Sequence, residues 1–179
     1  MAEIKSTLDL VMARTKNMTL NAEEKKDQRE KELKNNLAGL IQKYQDQAIK
    51  QTELTRQLDE LKTEYGHGTS GRIVDELLRR IEVNIDNNAC LSVLSDYFGL
   101  DTSMLETILA EFETARNQGR RRRIDALKTD LSNDGISGSA VIFNIEIDPQ
   151  WQSEQNTLID QFRIQLTAGK KRVAHAQDS

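Results

Sequence analysis

The feature that most constrains this chain is a pair of interleaved heptad ladders. Leu33, Leu40, Gln47, Leu54 and Leu61 recur every seventh residue, and Leu37, Tyr44, Gln51, Leu58 and Tyr65 recur beside them at offsets of four and then three. On an α-helix this spacing gathers both sets on one narrow seam, the a/d positions of a left-handed coiled coil. No proline or glycine interrupts the stretch except Gly39, which lies off the seam. The pattern predicts one long helix over residues 19–65 that needs another helix against it. Gln47 and Gln51 make a polar layer, which either fixes register or loosens the pairing. The adhesive layers are then residues 33–44 and 54–65.

Composition agrees with helices that keep one face in water. Hydrophobic residues are 37% and charged residues 30% of the 179, lean for a compact globule, and there is one proline. The net charge of -4 argues against nucleic acid as the main partner. Cys90 is the one cysteine, which excludes a disulfide framework, and beside Ala89 and Leu91 it reads as a small core residue. No stretch approaches the roughly 20 apolar residues of a membrane span. Asp9 and Arg14 interrupt the apolar positions a signal peptide would need. The expectation is a cytoplasmic protein with no transmembrane segment.

Along the chain, residues 1–18 read as a short amphipathic docking helix with Ile4, Leu8, Val11 and Met12 in its stripe. Asn21 with Glu24 forms a capping-box signature, with Leu20 as a staple, and opens the long helix with a run of charges that has no apolar face. Residues 66–71, with three glycines, read as a flexible linker. His67 within it has no partner at metal-ligand spacing. Residues 72–169 read as a mainly helical head. Over 72–86 the longer pattern, Ile73, Val74, Leu77, Leu78, Ile81 and Ile85, favours helix, although residues 80–86 also alternate like a strand.

Leu94, Phe98, Gly99, Leu100, Leu105 and Ile108 occupy the apolar and glycine places of a helix pair with a tight turn, Gly99 being placed at C′. The second helix of the pair begins at Asp101 or at Ser103, the latter making a second capping-box signature with Glu106. The segment over 91–113 resembles a helix-turn-helix motif. That resemblance implies a DNA-reading second helix. Asp101, Glu106, Glu111 and Glu113 stand where such a helix needs donors to phosphate, so the residues themselves favour a structural helical hairpin.

Arg120, Arg121, Arg122 and Arg123, with Arg116 before them, are the candidate anion-binding residues. Four consecutive residues point all round a helix, so they form a collar whose simplest role is pairing with acids of the long helix. Residues 140–147 carry the clearest strand signal, with Val141, Phe143, Ile145 and Ile147 alternating. A strand needs a partner, either residues 80–86 or the same strand of a second copy. Asp148 and Pro149 open a last helix as N-cap and N1. Trp151, Leu158, Phe162 and Leu166 form its buried edge, Gly169 closes it, and residues 170–179 read as a disordered tail.

The fold expectation is therefore mainly α: a long coiled-coil helix, then a small helical head with one short β-strand. No residues assemble a catalytic or metal site, and no cofactor is implied. The layout is broadly similar to peripheral stalk and adaptor proteins. The functional expectation is a non-catalytic coiled-coil scaffold or adaptor that forms a homodimer or higher oligomer and bridges protein partners. The alternative is a helix-turn-helix-like DNA-binding regulator using residues 91–113 and 120–123.

Overall fold

The structure, a computed structural model, describes residues 21–136, 138 and 142–177, and these are mainly helical. The expected helix over residues 1–18 and the Leu20 staple lie outside them. The described helices are α1 (Ala22–Gln45), α2 (Gln51–Tyr65), α3 (Thr69–Arg80), α4 (Asn88–Ser92), α5 (Ser103–Asn133) and α6 (Pro149–Gln177). A π turn over Val93–Tyr97 extends α4, and a 3₁₀ turn spans Ile145–Ile147.

α1 starts where the capping box places it. Asn21 Oδ1 accepts from the Glu24 amide at 2.7 Å, and the Glu24 carboxylate accepts from the Asn21 amide at 2.8 Å. The single helix expected over 19–65 is instead two helices joined by residues 46–50. Gln47 takes a left-handed conformation, φ 58°, and the Ala48 amide donates to the Lys43 carbonyl at 2.8 Å. The ladders then face each other within one chain. Leu33, Leu37 and Leu40 of α1 and Leu54, Leu58 and Leu61 of α2 are all buried in a common core. A left-handed non-glycine residue costs about 1–2 kcal/mol. Each buried leucine returns about 1.5–3 kcal/mol. The break also puts both glutamines of the polar layer in water instead of in a seam: Gln47 and Gln51 are exposed.

α3 begins at Thr69, so the linker expected over 66–71 shrinks to Gly66-His67-Gly68. Gly66 and Gly68 supply positive φ, and the Thr69 hydroxyl donates to the Gly66 carbonyl at 2.8 Å. α3 runs parallel to α1. Arg72 meets Glu30 at one end, and Arg80 reaches the Ala38 carbonyl, Gln42 and Gln45 at the other. The helix reading of this stretch holds to Arg80, and residues 81–87 form neither helix nor strand. Asn87 takes the place of a strand partner there: its side chain accepts from the Glu82 amide and donates to the Glu82 and Ile85 carbonyls.

α5 and α6 form an antiparallel hairpin. Contacts that advance along α5, from Met104 through Phe112 and Gly119 to Arg122, retreat along α6, from Arg172 through Phe162 to Trp151 and Glu154. Gly169 does not end the last helix. It lies buried inside it, and α6 continues to Gln177 with Val173 in the core, so the expected tail is helical as far as it is described. Among the described residues there is no strand. Of the stretch expected as one, residues 140 and 141 lie outside the described set, 142–144 are irregular, and Ile145–Ile147 is a single 3₁₀ turn. Residues 80–86, one of the two expected partners, do not form a strand.

One core runs from Leu33 to Val173, so the two-helix stalk and the later helices are packed as one body. Leu58→Ala should cost about 2–5 kcal/mol of folding stability. Its effect on the urea midpoint should not change with protein concentration; a concentration-dependent midpoint would assign the ladder to a contact between chains. The two helical glycines should respond oppositely. A Cβ at Gly169 would lie 2.9 Å from Leu105 Cδ2, whereas Gly39 has nothing within 4 Å. Gly169→Val should therefore destabilise by about 1–3 kcal/mol, and Gly39→Ala should stabilise by about 0.5–1 kcal/mol, both read by thermal unfolding.

Candidate interaction surface

The sequence places its arginine cluster on α5, and the structure places that cluster where α5 leaves the core. The buried positions of α5 are Leu105, Ile108, Phe112 and Gly119, so no residue beyond Gly119 is fully buried. Gly119 is the hinge point of this geometry. Trp151 of α6 fills the space where a side chain would be, its Cζ3 lying 3.0 Å from where a Cβ on Gly119 would sit. Trp151 and Ile145 are completely buried, and they form a small packing centre apart from the main core. The indole N–H of Trp151 has no hydrogen-bond partner among the described residues, so the ring serves as an apolar slab.

Arg123 is the fixed member of the cluster. Its Nε and a terminal nitrogen each sit 2.8 Å from an oxygen of Asp148. Side-chain exposure is 16% for Arg123 and 13% for Asp148, so this bidentate pair is largely screened from water. Asp148 also accepts from the Trp151 amide at 2.7 Å, the N-cap bond expected from the Asp-Pro start of α6. The Arg123 side-chain hydrogen bonds, then the Trp151 amide, hold its carboxyl at about 2, well below the ordinary 3.8. Arg122 pairs with Glu154 at 3.1 Å, Arg120 with Glu146 at 3.8 Å, and Arg116 with Glu113 at 3.6 Å. Arg121 makes no ion pair among the described residues and is exposed. Arg120, Arg122 and Arg123 thus pair with acids of the return segment and of α6, and Arg116 with one of its own helix, rather than with the glutamates of α1.

Beyond the collar the hairpin ends in an apolar tip. Ile142 is 91% exposed, Ile147 70% and Ile136 52%. The two other large exposed apolar residues, Ile85 and Ile164, sit on different elements. Ile136, Ile142 and Ile147 all belong to the one segment that joins α5 to α6, which separates them from surface isoleucines scattered over different elements. The strand signal read over 140–147 was the sequence trace of the tip, assigned to the wrong secondary structure.

The remaining expected positions fall elsewhere. Tyr44 and Tyr65 are half-buried against the core, and Arg29 lies over the Tyr65 ring at 5.8 Å. Gln51 donates to Asp96 at 3.2 Å. Cys90 is buried, and that burial pushes its thiol up to about 11, away from nucleophilic use. His67 is exposed. The helix pair over 91–113 is present, with Gly99 at positive φ as expected. The start of α5 is secured by Asp101, which accepts from the Ser103 amide at 3.0 Å, and by Thr102, which donates to Glu106, so the Ser103 box is not formed. Glu106, Glu111 and Glu113 are exposed on the outer side of α5. Among the described residues no group of three or more His, Cys, Asp or Glu side chains converges on a common point, and no helix is long and apolar enough to cross a membrane.

Compared with known proteins, the chain matches no family model, no curated protein and no solved structure.

The Asp148 pair gives a pH test. Because its folded value is depressed, the pair contributes stability above the ordinary value of 3.8 and loses it as pH falls toward about 2. Asp148→Asn keeps a capping oxygen but removes the charge. Wild type should be the more stable at neutral pH, and the difference between the two in urea unfolding should shrink as pH falls through that window. A difference that does not change with pH would show that the charge plays no part.

Proposed function

We propose that this chain is a non-catalytic, cytoplasmic interaction protein, a helical base with a braced hairpin arm that self-associates and bridges protein partners through the arm's end. One observation supports the reading: Ile136, Ile142 and Ile147, all in the segment between α5 and α6, are each exposed. Residues 142–144 adopt no regular element, and the Ile142 and Phe143 amides donate no backbone hydrogen bond among the described residues. An irregular segment that carries exposed isoleucines fits docking into a partner's groove. Self-association on this reading does not use the leucine ladders, which are already occupied within the chain, but the tip.

A second reading, a DNA-binding regulator, draws on the helix pair over 91–113 and on the arginine cluster 120–123, of which Arg121 has no acidic partner among the described residues. The exposed acids of α5 favour the first. Duplex binding that falls steeply with salt would support the second.

The test is a photo-crosslinking residue introduced at Ile142 in the native cell, with one at Ile85 as control. Ile142 should crosslink a protein, a second copy or another chain, and Ile85 should not. Ile147→Asp should cut the yield about tenfold, as loss of a buried apolar anchor does, with the melting temperature unchanged. Equal crosslinking from both sites, or none from Ile142, would remove the tip from the interaction.

A further inference from the structure

Where α2 ends and α3 begins, the chain turns beside the first half of α1, and a cavity of about 390 Å³ lies between the three. Lys25, Lys26 and Arg29 reach it from α1, Arg72 from α3, and Tyr65 and His67 from the turn. Glu30 is the one acid in its lining. Asp27 and Glu64 line neighbouring grooves instead. Four bases against one acid leave a local surplus of three positive charges, in a chain whose net charge is -4.

That surplus is not what a solvated helix face needs. Such a face alternates in sign one turn apart, as Asp27 and Lys31 do. Here Lys25 and Arg29 are like-charged at i,i+4, and Lys26 and Arg29 at i,i+3, an arrangement that costs helix stability. The same side of α1 carries Leu33 one turn later, where α2 and α3 cover it. Upstream of Leu33 the covering helices have run out, since α2 stops at Tyr65 and α3 starts at Thr69. The sequence places bases there, and an anion between them would relieve their repulsion.

Two of the bases are already held in place. Arg29 donates through one terminal nitrogen to the Glu64 carbonyl at 3.2 Å, and its Cζ lies 5.8 Å from the centre of the Tyr65 ring. Arg72 donates through one terminal nitrogen to Glu30 at 2.8 Å. A guanidinium has five N–H donors. Each of these two therefore keeps further donors that meet no acceptor among the described residues. The Arg72 hydrogen bond, aided by its charge, holds the Glu30 carboxyl below its ordinary range, so the one acid stays ionised and engaged. Planar forks anchored in this way match the oxygens of a phosphate group, which a lysine meets as a point charge.

We propose that this cavity binds a phosphate dianion, free or at the end of a small organic monoester, with Arg29 and Arg72 as the clamp and Lys26 as a balancing charge. The site belongs to the helical base and does not depend on what the arm binds.

Titration calorimetry of the full chain tests this in about 0.1 M sodium chloride, where the pull of scattered exposed charges is largely screened. Inorganic phosphate and phenyl phosphate are the probes, and a single site should appear. Tighter binding of phenyl phosphate assigns the site to a monoester, and equal or weaker binding of it assigns the site to free phosphate. Arg29→Gln should weaken binding about tenfold, as loss of one charge-assisted contact does. Arg121→Gln, on the arm, should leave binding unchanged. Lys26→Gln keeps the fold in view. It should weaken binding without lowering the melting temperature in phosphate-free buffer, because it removes a like-charge pair. No binding of either probe overturns the proposal. So does a loss that is the same for Arg29→Gln and Arg121→Gln, or unchanged binding in both Arg29→Gln and Lys26→Gln.

Discussion

The reversal at residues 46–50 is the constraint on which the rest of this structure depends. Six leucines on two ladders have to be taken from water, and neither helix can do it alone. Turning the chain at Gln47 lets α1 and α2 serve each other, and the pair then presents the surface on which α3 lies. Arg80 locks that arrangement. It donates to Glu76 on its own helix and to Ala38, Gln42 and Gln45 on α1. Burial raises the Glu76 carboxyl, but the Arg79 and Arg80 contacts outweigh it and the net shift is downward. Removing either partner of so covered a pair leaves a stranded charge, which is more costly than the pair is stabilising.

The second half of the fold follows from the lack of a side chain at two positions. Gly169 lets Leu105 and Ile108 approach the backbone of α6, and Gly119 lets Trp151 approach that of α5. These contacts sit at the two ends of the hairpin's packed length, with the Phe112–Phe162 edge contact between them, ring centroids 5.5 Å apart. A glycine inside a helix costs about 1 kcal/mol relative to alanine. Close helix approach offsets it here, because larger residues would hold the axes apart and leave the rings and leucines unfilled.

What could be read in the sequence was local chemistry. The Asn21–Glu24 box, the Asp148-Pro149 start and the positive φ at Gly99 each depend on a few adjacent residues, and each is in place. The turn at Gln47 was not legible, because no glycine or proline marks it and the heptad runs through it unbroken. Its one trace was the polar layer, which in a continuous helix would be tolerated as a register device. Gly169 was misread for the opposite reason. Its usual meaning is a helix end, and only the leucines it meets from another helix reveal its packing role. The arginine cluster was located correctly on α5, but its acids came from residues 146–154, a pairing that depends on how the hairpin closes.

The β-branched run near residue 142 shows how the base and the arm differ. Ile41, Ile73 and Ile81 are buried in the main core, and Ile85 and Ile164 are exposed on other elements. In the return segment one isoleucine is buried and others are not. Arg123 and Asp148 pin the return segment against α5, and Trp151 fills the space beside Gly119. Ile145 is drawn into that small centre, which leaves its neighbours Ile142 and Ile147 pointing to water. A strand in that place would need a row of hydrogen bonds that no described element of the chain supplies. The same residues that secure the arm therefore keep its end apolar and uncovered, so exposure at the tip is set by the packing below it.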